Sequence, residues 1–178
     1  EPIATHHGPL VSPRTYREVV LPTYKPLMHA LRNAGVNTLI WRTYANSCAL
    51  LDAVVEAGFH AEPGFDCLWA VESGTDAMDY RAIRRQYGKR LRLIGGVDLD
   101  VLREDRRLRS SESRSLSLSK SRGLRQAQAA IQYQLDEIVR PLLGDGAYIP
   151  LADGRVRVGM PFENYAYYRR GLEEVVGV

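Results

Sequence analysis

Arginine, tyrosine and carboxylate side chains fall at four places along this chain where an apolar run breaks off. These are the residue types that recognise an anion and move a proton. Arg42 and Tyr44 follow the run Thr38 to Trp41, Glu72 follows Phe65 to Val71, Asp98 follows Arg90 to Val97, and Asp153, Arg155 and Arg157 follow Tyr148 to Ala152. A guanidinium is planar and permanently charged, and its N–H fork pairs with a carboxylate through two parallel hydrogen bonds. The pattern nominates Arg42, Arg155, Asp98 and Arg157 as substrate-binding residues for an anionic small molecule. Asp153, Tyr44 and Glu72 are the catalytic candidates, placed to orient the substrate or to handle protons. No metal site is expected: the adjacent His6 and His7 have no third ligand nearby, and Cys48 and Cys67 stand alone and read as buried small side chains.

The elements that must position these residues alternate. Ser12-Pro13 starts a helix carrying Tyr16, Val19, Val20, Leu27, Met28 and Leu31, which Pro22 and Pro26 are expected to kink or split. Val36 to Thr43 reads as a strand, Asn46 as the N-cap of a helix closed by Gly58, and Phe65 to Val71 as a second strand. A short helix around Tyr80, Ile83 and Tyr87 stops at Gly88 and leads to the strand Arg90 to Val97. Helix Ile131 to Leu143, strand Tyr148 to Ala152 and helix Pro161 to Val176 complete the order. Strands separated by helices run parallel, so all four groups of polar residues are expected at the carboxyl end of one sheet, in one shared site.

With 178 residues, 45% of them hydrophobic, the chain has enough apolar surface for one domain, 1–178. It has no run of 18 apolar residues and no signal-peptide pattern, so no membrane partner and a cytoplasmic location are expected. It opens on Glu1-Pro2 without an initiator methionine, and is expected to be a piece of something longer. Between Ser110 and Ser121 seven of twelve residues are serine, and Arg109, Arg114, Lys120, Arg122 and Arg125 against Glu112 give the segment a charge of +4, which leaves −1 for the rest of a chain of net charge +3. That composition predicts a disordered Ser/Arg-rich insertion over Leu108 to Ala129. A solvated insertion is preferred to an RNA-binding strip, so nucleic acid is not expected as a partner.

Gly8 to Pro13, the helix after it, Leu51 to Phe59, Gly88 to Leu102 and Tyr148 to Tyr165, with Pro161-Phe162-Glu163-Asn164-Tyr165 the most recognisable piece, resemble the carboxyl-terminal half of the uroporphyrinogen decarboxylase superfamily. That superfamily includes the decarboxylase of haem biosynthesis and the cobalamin-dependent methyltransferases. The resemblance implies an α/β fold: a partial TIM (β/α)8 barrel, its last four β-α units with parallel strands. It implies that the complete form is a lyase or methyltransferase-type enzyme acting on an anionic tetrapyrrole, corrinoid-linked or other carboxylate substrate. A corrinoid would serve only the methyltransferase chemistry. The zinc site of the thiol methyltransferases, a His-x-Cys pair and a later cysteine, falls on Arg42, Tyr44 and Gly154, which cannot replace it. The alternative is a truncated half-barrel without activity, completed by an amino-terminal half-barrel or by self-association.

Overall fold

The computed structural model of the protein describes residues 3–57, 65–71, 78–103, 116–153 and 159–177. A small antiparallel hairpin, β1 (Ala4–Thr5) and β2 (Gly8–Pro9), turns through the exposed His6-His7 pair. Ser12 Oγ then accepts the Thr15 N–H at 3.0 Å and starts α1 (Pro13–Thr15). The chain continues through a widened π turn, Tyr16–Val20, into α2 (Leu21–Asn33). At Pro22 that turn takes the place of the expected kink or split, and at Pro26 the helix continues without one. A proline ring clashes with the carbonyl four residues back, and an i to i−5 bond moves that carbonyl aside. Leu21 N–H accordingly donates to Tyr16 O, one residue before Pro22. The same device recurs at Leu135–Val139, where Arg140 N–H donates to Leu135 O one residue before Pro141.

Strands β3 (Ile40–Tyr44), β4 (Cys67–Val71), β5 (Arg92–Val97) and β6 (Tyr148–Ala152) form one sheet in chain order, every pair parallel. The first begins later than Val36 because Asp66 takes over the backbone there: its carboxylate accepts Leu39 N–H at 2.7 Å and Arg32 at 2.6 Å. Helices α3 (Leu51–Ala57), α4 (Tyr80–Tyr87), α5 (Leu116–Gln134), α6 (Arg140–Asp145) and α7 (Phe162–Val176) lie between and after the strands. Asn46, one residue before the N-cap Ser47, accepts Cys48 N–H through Oδ1 at 3.3 Å at the start of the short 3-10 turn that feeds α3.

The core lies on one face of the sheet. Trp41, Leu68, Leu93 and Tyr148 are in register, and all four are buried against Leu50, Val54, Ile83, Ile131, Leu135, Tyr168 and Leu172 of the helix layer. At roughly 1.5–3 kcal/mol per buried large side chain, this row holds the helices to the sheet. Strand order that follows chain order, with the core on one face, separates this α/β sheet from doubly wound ones, whose order reverses. Among the described residues no helix is long and apolar enough to cross a membrane.

The structure corrects the reading of Leu108 to Ala129 as a disordered insertion, because α5 is helical from Leu116. The part of that segment before Leu116 lies outside the described residues. Gln126-Ala127-Gln128-Ala129-Ala130 is a strong helix-forming run, and it continues without a break into the core-facing Ile131. Ala127 is itself buried, and α5 packs against α7 and the 3-10 turn Leu99–Leu102. Serine content hid a helix whose anchor is its carboxyl-terminal half.

Candidate functional site

Alternation along the strands sorts the nominated residues between two faces. Arg42 is in register with Trp69, Ile94 and Ile149, on the face turned away from the helices. Its guanidinium carbon lies 4.8 Å from the Trp69 ring centroid and 5.0 Å from that of Tyr44. Both rings offer their electron-rich faces to the cation, an attraction worth about 0.5–2 kcal/mol each. Trp69 adds a second donor at this place, a buried indole N–H with no acceptor among the described residues. A buried N–H without a partner costs free energy and is not expected of a purely structural tryptophan.

Asp153 is not on that face. It is buried on the helix side, where Gly96 N–H donates to Oδ1 at 3.4 Å, and three tyrosine hydroxyls gather around it. Tyr80, from α4, accepts Ala70 N–H at 3.0 Å and donates to Ile94 O at 2.6 Å, bridging β4 and β5. Tyr148 donates to Gly95 O at 2.7 Å, and Tyr168, from α7, takes a backbone hydrogen bond from Ala152. Burial, then the neighbouring Asp153 carboxylate, holds the Tyr80 and Tyr148 hydroxyls well above their ordinary range.

Two glycines make this arrangement fit. Gly95 and Gly96 have φ of 109° and 87°, and a Cβ on Gly95 would stand 2.8 Å from Asp153 Oδ1. A Cβ on Gly96 would stand 2.9 Å from the Tyr80 ring. Only glycine combines that backbone with that clearance.

Asp98 is a structural residue as well. Its Oδ1 accepts Asp100 N–H at 2.9 Å and caps the turn Leu99–Leu102, while its own N–H donates to Gln134 of α5 at 2.7 Å. Of the seven nominated residues, Arg42 and Tyr44 are brought together, Asp98 and Asp153 are placed elsewhere, and Glu72, Arg155 and Arg157 lie outside the described residues. Trp69 was not nominated, although a tryptophan two residues into an alternating strand, level with an arginine on the next strand, carries the signal once the register is known.

No family model, no curated protein and no solved structure matches this chain. The site is therefore judged on its residues. Arg42 and Tyr44 offer a metal ion a permanent cation and a phenol, not soft ligands. Cys48 and Cys67 are free thiols, half-buried and buried. Burial pushes the Cys67 thiol up to about 11, which keeps it protonated and a poor ligand.

Proposed function

We propose that this chain is the carboxyl-terminal half of a (β/α)8 barrel of the uroporphyrinogen decarboxylase type, and that Arg42 binds a carboxylate of an anionic substrate inside it. The carrying observation is Arg42 held between Tyr44 and Trp69 on the sheet face opposite the core. That face of a parallel sheet becomes the lumen when four further β-α units close the barrel. Consecutive strand order supports the same reading.

A decarboxylase-like reaction suits these residues better than zinc-activated methyl transfer. Loss of CO₂ from a carboxylate leaves an electron pair on carbon that a proton must quench. Arg42 would hold the carboxylates that stay and so orient the one that leaves, and Tyr44, on the same strand and in contact with Arg42, would deliver the proton. Methyl transfer by way of a corrinoid is the second chemistry the resemblance allows. A half-barrel without activity is favoured by one separate observation, the large apolar side chains exposed on the two edge strands.

The test is binding of a carboxylate-rich tetrapyrrole to the wild type, Arg42→Lys and Arg42→Met, followed by calorimetry and by melting. A bidentate, charge-assisted pair predicts a loss of about 10- to 100-fold in affinity for Arg42→Met, with a smaller loss for Arg42→Lys. Equal affinity in all three proteins would remove Arg42 from the site.

A further inference from the structure

The segment Tyr80 to Val97 holds six cations, Arg81, Arg84, Arg85, Lys89, Arg90 and Arg92, and no carboxylate. The fold employs some of them. Arg81 pairs with Asp79, Arg84 donates to Gly88 O and Ala147 O at 2.9 Å each, and Arg90 Nε donates to Tyr87 O at 3.3 Å. Lys89 and Arg92 are exposed, and neither has a carboxylate within ion-pair distance among the described residues.

Both border a cavity of about 270 Å³ at the amino ends of β4 and β5. Its apolar lining comes from Val55, Phe65 and Leu91, and its charged lining from Lys89, Arg90 and Arg92 with Asp66. Asp66 does not neutralise the three cations, because its Oδ2 is already held by Leu39 N–H at 2.7 Å and by Arg32 at 2.6 Å. A positive surplus therefore stays at the cavity. Phe65 is a fixed wall, packed on Tyr24 and Trp41 with ring centroids 6.1 Å and 6.4 Å away. The place is separate from the Arg42 face: it lies at the start of the parallel strands, whereas Tyr44 and Asp153 lie at their end.

We propose that this cavity binds a small phosphate monoester with an apolar body, the phosphate on Lys89 and Arg92 and the body against Phe65 and Leu91. A phosphate monoester carries about −1.5 to −2 charges at neutral pH and three strong acceptor oxygens. That matches several converging cations better than the single charge of a carboxylate. The arginine fork pairs with two phosphate oxygens and lysine adds a point charge, which is the division of labour phosphate sites use. Size limits the body. Ligand pockets start at roughly 300 Å³, so this one takes a body of one or two rings and excludes a tetrapyrrole. The site stands independently of the substrate reading for Arg42.

The experiment titrates the whole chain with 1-naphthyl phosphate, 1-naphthoate and inorganic phosphate, followed by calorimetry, in the wild type and in Lys89→Met, Arg92→Met and Arg42→Met. The expected result is one saturable site for naphthyl phosphate, tighter than for naphthoate or for phosphate alone. Lys89→Met and Arg92→Met should each lose about 10- to 100-fold in affinity, the range for a charge-assisted hydrogen bond. Their melting should not change, since both side chains are exposed. Arg42→Met should bind naphthyl phosphate as the wild type does. Absence of saturable binding, or binding that ignores both Lys89→Met and Arg92→Met, overturns the proposal. Inorganic phosphate held as tightly as the naphthyl ester would reduce the site to surface charge and overturn it too. So would a short single-stranded oligonucleotide that binds through Lys89 and Arg92 while naphthyl phosphate does not, which would make the segment a nucleic-acid surface. Loss of naphthyl phosphate on Arg42→Met would move the ligand to the open face of the sheet and away from this cavity.

Discussion

Three tyrosine hydroxyls meet the backbone of β4, β5 and β6 around Asp153, and the contact explains why β5 carries two adjacent glycines before its last residue. Tyr80 takes the Ala70 N–H and the Ile94 carbonyl into hydrogen bonds with one oxygen. Tyr80→Phe leaves both buried groups without that partner and is expected to cost about 1–3 kcal/mol, read as a lower midpoint of urea unfolding. Gly95→Ala, forced against Asp153 at a φ that side chains disfavour, should cost roughly 2–4 kcal/mol; an unchanged midpoint would mean that β5 relaxes there. Alkaline pH tests the same cluster. Burial pushes Tyr168 from 10.0 up to about 12 and Cys67 from 9.0 up to about 11. Both groups hold their proton more tightly when folded, so their contribution is complete below about pH 9 and is lost as pH rises through 11 and 12. Melting temperature should fall across that window, and Tyr168→Phe should flatten its upper part. At this scale the sequence was only partly legible. Strict alternation from Ile149 and Leu151 assigns Asp153 to the open face, but Asp153 lies just past the strand, where the Gly95-Gly96 gap and the tyrosines take its carboxylate to the helix side.

The elements themselves followed the sequence closely wherever a periodic apolar pattern met a chemical stop signal. Strand β6 occupies Tyr148 to Ala152 as the apolar run predicts, Gly88 ends α4, and Pro161 immediately precedes α7. Boundaries moved where a side chain replaced a ladder bond, as Asp66 does at Leu39. Element α5 was hidden for a different reason. Among its described side chains the buried apolar ones, Ala127 and Ile131, stand in a run whose composition is otherwise that of an exposed linker, so periodicity is legible only at its carboxyl end. Ala127→Leu separates a packed helix from a dispensable loop. Overpacking at this buried position should cost on the order of 1–3 kcal/mol, whereas a solvated insertion would absorb the change without a shift in melting.

For the whole molecule, β-α alternation was enough to predict an all-parallel sheet, because a parallel crossover needs a helix's length of chain. The division of labour between its faces was not legible, since it depends on register across four strands separated by long intervals of sequence. The helix side carries the core and a buried carboxylate; the open side carries an arginine stacked on two rings. The central claim is that substrate recognition belongs to the open side alone. It is tested most directly by measuring tetrapyrrole affinity and melting temperature side by side for Arg42→Met and Asp153→Asn. The account predicts that Arg42→Met loses about 10- to 100-fold in affinity while melting near the wild type, and that Asp153→Asn melts lower while the folded protein binds as tightly as before. Loss of affinity on Asp153→Asn with Arg42→Met unaffected would contradict it and move the site to the helix side of the sheet.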